Sequence, residues 1–211
     1  MAQLFEIHPD NPQPRLLRQA CALLDKGEVL AVPTDSGYAL ACHLDDKSAA
    51  DRLRHIRGLD DKHHLTLLCR DLSELANYAR VDNRQYRLLR QGTPGPYAFI
   101  LEASKEVPRR LSHPSRKTIG LRVPEHHALQ ALLAEHGGPL LATTLLLPDS
   151  DEAFHDADSI LDALDHELGG VIDSGACPRQ AVTVVDLTPM GHGGAPELVR
   201  EGAGDPARLG M

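Results

Sequence analysis

Four short stretches collect hydroxyls and cations where an anion could be held. VPTDSGYAL (32–40) puts Pro, Thr, Asp, Ser and Gly directly after an apolar run. Ligands of α/β proteins tend to bind in loops at strand ends, yet the same residues also make an ordinary turn, with Thr34 or Asp35 capping the backbone. HIRGLDDKHHL (55–65) sets Arg57 and Lys62 on either side of Gly58. Cations there suit a phosphate, and they equally complement a helix C-terminus with no ligand at all. RKTIGLRVP (116–124) reads as a strand with Thr118, Gly120 and Arg122 on one face: a hydroxyl, a bare backbone and a guanidinium. The bland reading of that face is a polar solvent surface. GPLLATTLLLPDS (138–150) sets Thr143 and Thr144 side by side in an aliphatic run. Either both pair with backbone in a core, or one faces a ligand.

Other chemistries lack their signatures. There is no P-loop, no G-x-G-x-x-G, no H-E-x-x-H and no G-x-S-x-G. His63 and His64 are adjacent, as are His126 and His127, so each pair diverges and chelates one ion poorly. No metal site is expected. Cys21, Cys42, Cys69 and Cys177 are scattered with no C-x-x-C, which favours reduced thiols over disulfides or a zinc knuckle.

The elements that must position these stretches alternate. Asn11–Pro12 signals a helix start, and Gly27 a helix end. EVLAVP (28–33) reads as a strand, and DSGYALAC (35–42) as a turn and a second strand. Helices are expected at 48–56, 71–77, 82–91, 126–135 and 158–167. Strands are expected at 65–69, 97–101, 118–123, 139–146, 170–173, 181–187 and 197–200. Alternation predicts an α/β layered domain. The gap at 33–38 is too short for a crossover helix, so antiparallel pairs must be mixed in. GHGGAP (191–196) reads as a flexible turn and 149–158 as an acidic surface loop.

At 211 residues and 42% apolar, the chain is long enough for one domain with a real core. Its net charge of −8 is uneven. Residues 52–122 hold fifteen of the 22 Lys and Arg against seven acidic residues, or +8, and the remainder is −16. A basic middle in an acidic chain points to a local anion site, or to charges spread over several solvated faces. No run approaches eighteen apolar residues and MAQLFEIHPD is not a signal peptide, so no membrane partner and a cytoplasmic location are expected.

Taken in order, VPTDSGYAL, IRGLDDKHHLTLL, TPGPYAFIL, KTIGLRVPEHH, GPLLATTLLLP and VTVVDL…LVREGAGD resemble the YrdC/YciO family. Its best-known members are threonylcarbamoyl-AMP synthases. FEIHPDNPQPR and TLLCRDLSELANYA look like the YciO branch. The resemblance runs from about residue 12 to 205 and implies one YrdC-like domain over residues 1–211. The implied fold is a twisted open sheet of mixed parallel and antiparallel strands, with flanking helices and a large basic concave cleft. The implied reaction joins threonine, bicarbonate and ATP, with Mg²⁺ on the phosphates and no permanent cofactor. The product serves tRNA modification, and double-stranded RNA, tRNA or rRNA are implied partners.

The resemblance assigns Thr34, Tyr38, Arg57, Lys62, Thr118, Arg122, Thr144 and Arg200 to nucleotide and substrate binding, and leaves the catalytic residues open. Thr144 stands where the family has a serine, so Thr143 is expected to pack on the far side. The family's Lys-x-Arg falls on Arg57 and Leu59, and its Ser-x-Asn on Thr144 and Leu146. Its Ser-Thr-Val falls on Val182, Thr183 and Val184. Each missing polar contact is worth about 1.5–3 kcal/mol, or ten- to a hundredfold. The expectation is therefore an RNA- and adenine-nucleotide-binding protein with weak or altered synthase chemistry. The alternative is an active synthase, a nucleotidyltransferase serving threonylcarbamoyl-adenosine formation in tRNA.

Overall fold

Two prolines decide where the first helix begins. Asn11–Pro12 was expected to open it, but the helix spans Pro14–Asp25. A residue before proline is pushed out of the α region. Gln13, which precedes Pro14, is extended at φ −75° and ψ 118°. Its side chain turns back, and Oε1 accepts from the His8 N–H at 3.0 Å.

The computed structural model describes residues 1–60, 63–109, 111, 117–148 and 152–211. The strands are β1 (Gln3–Glu6), β2 (Leu30–Thr34), β3 (Gly37–His43), β4 (Thr66–Leu68), β5 (Tyr97–Glu102), β6 (Thr118–Arg122), β7 (Leu140–Thr144), β8 (Gly170–Asp173), β9 (Thr183–Asp186) and β10 (Glu197–Arg200). The helices are α1 (Pro14–Asp25), α2 (Lys47–Arg57), α3 (Leu72–Tyr78), α4 (Asn83–Gly92), α5 (His127–His136) and α6 (Ala157–Leu164). Short 3₁₀ turns cover Thr188–His192 and Pro206–Leu209. The first of these takes up the start of the stretch expected to be a flexible turn.

Helix starts follow side-chain chemistry. Asp46, Asp71, Asp82 and Asp156 cap α2, α3, α4 and α6 by accepting from backbone N–H groups of the first turn. α4 has a full capping box, with the Gln85 side chain returning to the Asp82 N–H. His126 caps α5 through Nδ1, which explains one histidine of its pair without a metal. Its neighbour His127 uses Nδ1 on the Pro9 carbonyl at 2.8 Å.

The chain forms two compact units, each assembled from two separated segments. The first comprises Met1–Leu59 and His126–Gln180. Its strands run β1-β8-β2-β3-β7, parallel at β1/β8 and β8/β2 and antiparallel at β2/β3 and β3/β7. α1 packs against α5, and α2 packs on β3 and β7. The second unit comprises Asp60–Glu125 and Ala181–Met211. Its strands run β4-β6-β5-β9-β10, parallel at β4/β6 and β5/β9 and antiparallel at β6/β5 and β9/β10. The expected mixed sheet with flanking helices is therefore present, and the β2/β3 hairpin is the antiparallel pair that the short 33–38 gap required.

Aromatic residues make up only 3% of the chain, so aliphatic side chains fill both cores. Leu24, Leu30, Leu40 and Leu53 are fully buried in the first unit, and Leu67, Leu75, Leu89 and Leu101 in the second. Each such burial is worth about 1.5–3 kcal/mol. The charge also divides by unit. The first has eight basic against eighteen acidic residues, net −10, and the second has fourteen against twelve, net +2.

Candidate functional site

In the first unit the turn of the β2/β3 hairpin is built from the inside out. Thr34 pairs with Gly37, leaving Asp35 and Ser36 as the loop. The Thr34 side chain is 1% exposed. Its Oγ1 donates to the Gly37 carbonyl at 2.6 Å and accepts from the Ser36 N–H at 3.1 Å. The Ser36 hydroxyl lies 3.2 Å away. Cys177 is held against the turn by the Thr34 N–H, and burial pushes its thiol up to about 11. The turn therefore spends Thr34 largely on its own geometry.

Tyr38 is equally committed. It is 1% exposed, and its hydroxyl donates to the Ile172 carbonyl at 3.0 Å. Burial raises its pKa far above the ordinary tyrosine value. Its ring ties β3 to β8 from within, with no part of the hydroxyl left at the surface.

β7 lies beside β3 in antiparallel register, with Thr144 opposite Ala39 and Thr143 opposite Leu40. Thr143 is buried and Thr144 is half-buried, the alternation expected for a packing residue and an outward one. Leu146 follows on the same alternation and is likewise half-buried. The Leu145 N–H bonds the Tyr38 carbonyl at 2.9 Å, which fixes the backbone between these two positions.

α2 ends at Gly58, in the left-handed region at φ 62°. A Cβ there would lie 3.0 Å from Pro148 Cγ, so the α2 exit and the β7 exit are packed together. That contact needs glycine twice over, for its backbone angle and for its missing side chain. It brings Arg57 and Leu59 onto the same side of the unit as the Leu146–Pro148 run. The Arg57 Nε is buried and has no hydrogen-bond partner among the described residues. Burial alone lowers its pKa. A buried donor left unmatched calls for an acceptor.

In the second unit β6 carries Thr118 and Arg122, which are 4% and 5% exposed. All five residues of β6 are buried, so this face is not the solvent surface that its polar residues allow. Gly120 is not a bare backbone turned to a ligand either. A Cβ there would meet Thr66 Oγ1 at 2.8 Å and the Leu65 carbonyl at 3.0 Å, so the glycine lets β4 approach. The β4/β6 register pairs Thr66 with Gly120. Two residues back, His64 Nε2 reaches Thr118 Oγ1 at 2.7 Å. The sequence shows His64 only as one of an adjacent pair that chelates an ion poorly. The signal that would have found it is the parallel register, which sets residue 64 beside 118.

Arg200 lies on edge strand β10, three strand spacings or about 14 Å from β6. Its Nε and Nη2 both donate to the Val182 carbonyl, at 3.2 and 3.1 Å. The residue is exposed while its guanidinium head tucks against β9. Beside it Thr183 is fully buried, donating to the Gly204 carbonyl at 2.6 Å and accepting from the Gly202 N–H at 2.9 Å. The GAG of the C-terminal stretch is thus anchored at β9. Of the eight residues assigned from the sequence, Thr34, Tyr38, Arg57 and Thr144 sit at neighbouring strand and helix ends of the first unit. Thr118 and Arg122 share one strand of the second, and Arg200 stands apart from them. Lys62 lies outside the described residues. Among the described residues no three His, Cys, Asp or Glu side chains are placed to hold a metal ion. Nor is any described helix long and apolar enough to cross a membrane.

The family model Sua5_yciO_yrdC, described as "Telomere recombination", matches residues 22–202, which include every one of these positions. The chain belongs to the Sua5/YciO/YrdC family. Within it, the Escherichia coli K12 protein YciO is 50% identical over 205 residues, covering 97% of this chain and 98% of that one. The crystal structure of E. coli YciO superposes with a TM-score of 0.94, covering 99% of this chain and 100% of that one at 49% identity. The human threonylcarbamoyl-AMP synthase is 32% identical over 193 residues, 88% of this chain and 67% of the human protein. P. abyssi Sua5, solved with L-threonine, shares the fold at a TM-score of 0.84 and 21% identity, over 94% of this chain and 57% of that one. The protein is thus a Sua5/YciO/YrdC-type domain related to threonylcarbamoyl-AMP synthases.

Proposed function

We propose that this protein binds an adenine nucleotide and structured RNA, and that its threonylcarbamoyl-AMP synthase chemistry is weak. The observation that carries the reading is the α2 exit. Arg57 offers a buried, unmatched guanidinium N–H there. The adjoining positions, where the family has arginine and asparagine, hold Leu59 and Leu146. A guanidinium with a spare donor suits a phosphate oxygen. Two leucines beside it supply no charge to a developing pentavalent phosphorus and no hydrogen bond to a carbamoyl group. Binding is retained where turnover is curtailed, because adenylate transfer depends on positioning and charge neutralisation more than on acid–base groups.

Thr144 supplies a half-buried hydroxyl at the end of β7, and ATP arrives with its own Mg²⁺ as substrate. Thr34 and Tyr38 act as positioning residues, since their hydroxyls hold the hairpin and β3. In the second unit Thr118 and Arg122 are assigned to nucleotide and substrate binding by the resemblance, and His64 joins them through its 2.7 Å bond to Thr118. Threonine is the expected acyl acceptor, in keeping with the ligand of P. abyssi Sua5. The basic surplus of the second unit supports the RNA half of the reading.

The test is calorimetric titration with ATP, followed by pyrophosphate release from ATP with threonine and bicarbonate. ATP is expected to bind, and Arg57→Ala to weaken it about tenfold to a hundredfold. Release is expected to run orders of magnitude below that of a family synthase. Absence of ATP binding would overturn the nucleotide reading. Release at a family synthase's rate would establish the active-synthase reading, which the 32% identity to the human enzyme favours.

A further inference from the structure

Helix α4 of the second unit turns two unlike faces. Gln85, Leu88, Leu89 and Gly92 are buried against the unit. The opposite face carries Asn83, Arg84, Tyr86, Arg87, Arg90 and Gln91, all exposed. The fold needs only the buried face, so any soluble residues would serve on the outer one. In a chain of net charge −8 it holds three arginines, two amides, a tyrosine and no carboxylate.

Arg84, Arg87 and Arg90 recur at i, i+3 and i+6, so neighbours repel along the helix. The nearest carboxylate in sequence, Asp82, is spent on the Arg84 and Gln85 N–H groups at 2.8 Å. Arg84 gives one Nη2 bond to the Gly194 carbonyl at 3.3 Å. Arg87 and Arg90 make no ion pair or hydrogen bond with any described residue. The three arginines thus leave the helix at Cα positions about 4.5 Å apart along its axis, and none of them pairs with a described carboxylate. Tyr86 is 44% exposed and lies one turn before Arg90.

We propose that this face of α4 is a docking surface for the sugar–phosphate backbone of RNA, a proposal that rests on the RNA half of the proposed function. Arginine forks match phosphate oxygens bidentately. The tyrosine offers a stacking plane to an unpaired base or ribose, and Asn83 and Gln91 offer hydrogen bonds to ribose hydroxyls. The face is separate from the residues assigned to the nucleotide, none of which lies on α4.

The test uses the full chain and a short RNA duplex, titrated by fluorescence anisotropy over a salt series. Arg87→Gln with Arg90→Gln keeps good helix formers on an exposed face. The slope of log affinity against log salt is expected to fall by about 0.9 per lost phosphate contact, so by about 1.8 in the double variant. Arg15→Gln with Arg18→Gln, the same charge change on exposed positions of α1, is expected to leave the slope unchanged. ATP affinity is expected to be equal in all three proteins. If wild type binds and the α4 variant keeps the full slope, the surface assignment falls while the RNA reading stands. If wild type binds no RNA even at low salt, both fall. If wild type instead self-associates in low salt and the α4 variant is monomeric, the face pairs with the acidic surface of a second copy and the proposal is overturned.

Discussion

Placing arginine at Leu59 and asparagine at Leu146 in one chain should raise pyrophosphate release from ATP, threonine and bicarbonate. Both side chains are half-buried, so a polar replacement can keep its head in water until a ligand arrives. Residue 59 lies just past the C-terminus of α2, where the helix dipole favours a cation. Its N–H bonds the Arg54 carbonyl at 2.9 Å whatever side chain it bears. The backbone before residue 146 is likewise fixed by the Leu145 bond to Tyr38. The α2 and β7 exits pack together at Gly58 and Pro148, so both new groups enter one neighbourhood beside Arg57. A charged hydrogen bond is worth about 1.5–3 kcal/mol, or roughly ten- to a hundredfold each. Together they should give about a hundredfold to ten-thousandfold, most of it in kcat if the contacts form only as charge develops. Leu59→Ala with Leu146→Ala, which changes packing without adding a polar group, should give no gain. The reasoning is refuted if the double variant melts like wild type, binds ATP and releases pyrophosphate no faster.

Other expectations concern the frame around the site. Tyr38→Phe removes the donor to the buried Ile172 carbonyl and should lower stability by about 1–3 kcal/mol in urea titration; an unchanged midpoint would mean that the bond contributes nothing net. Asp71 and Asp156 are held below the usual carboxylate value first of all by the backbone N–H groups of Glu74 and Ser159. Their contribution is therefore present above the unfolded value near 3.8 and lost as pH falls through the lower folded values. The stability gap between wild type and Asp71→Asn/Asp156→Asn should narrow as pH falls below that value, and a gap that widens in acid would contradict the caps. Burial raises the Cys21 and Cys177 thiols to about 11 and Cys69 well above the ordinary value. A thiol reagent at about pH 8 should therefore label these cysteines only after denaturant is added.

What the sequence made legible was pattern, and what it hid was partnership. EVLAVP followed by DSGYALAC announces a hairpin because the turn is local, and the structure pairs Thr34 with Gly37 as that reading requires. β1 is illegible in the sequence because four residues carry little periodicity and its partner, β8, lies far along the chain. The helix start slipped from Asn11 to Gln13 because two prolines compete and the second excludes any earlier turn. At the site, residue types were legible and their commitments were not. Nothing in TIGLR says that Gly120 admits Thr66, or that Thr118 meets His64, since both depend on the parallel register of β4 and β6. The commitment of the Tyr38 hydroxyl to the Ile172 carbonyl likewise depends on a strand more than a hundred residues away.

The interleaving of segments has a consequence for synthesis. β1 leaves the ribosome 167 residues before the strand it pairs with, since Gln3 faces Gly170 of β8. At roughly 5–20 residues per second, β1 waits on the order of ten seconds or more for that strand. The second unit cannot close earlier, because β9 and β10 follow β8 in the chain. During that interval β5 and β6 can pair while the edge of β5 that β9 will cover stays open, with Phe99 and Leu101 in the strand. Such edges recruit other chains. A truncated product ending before residue 181 would carry that edge permanently, so nascent and truncated chains are the forms most exposed to aggregation and most dependent on chaperones.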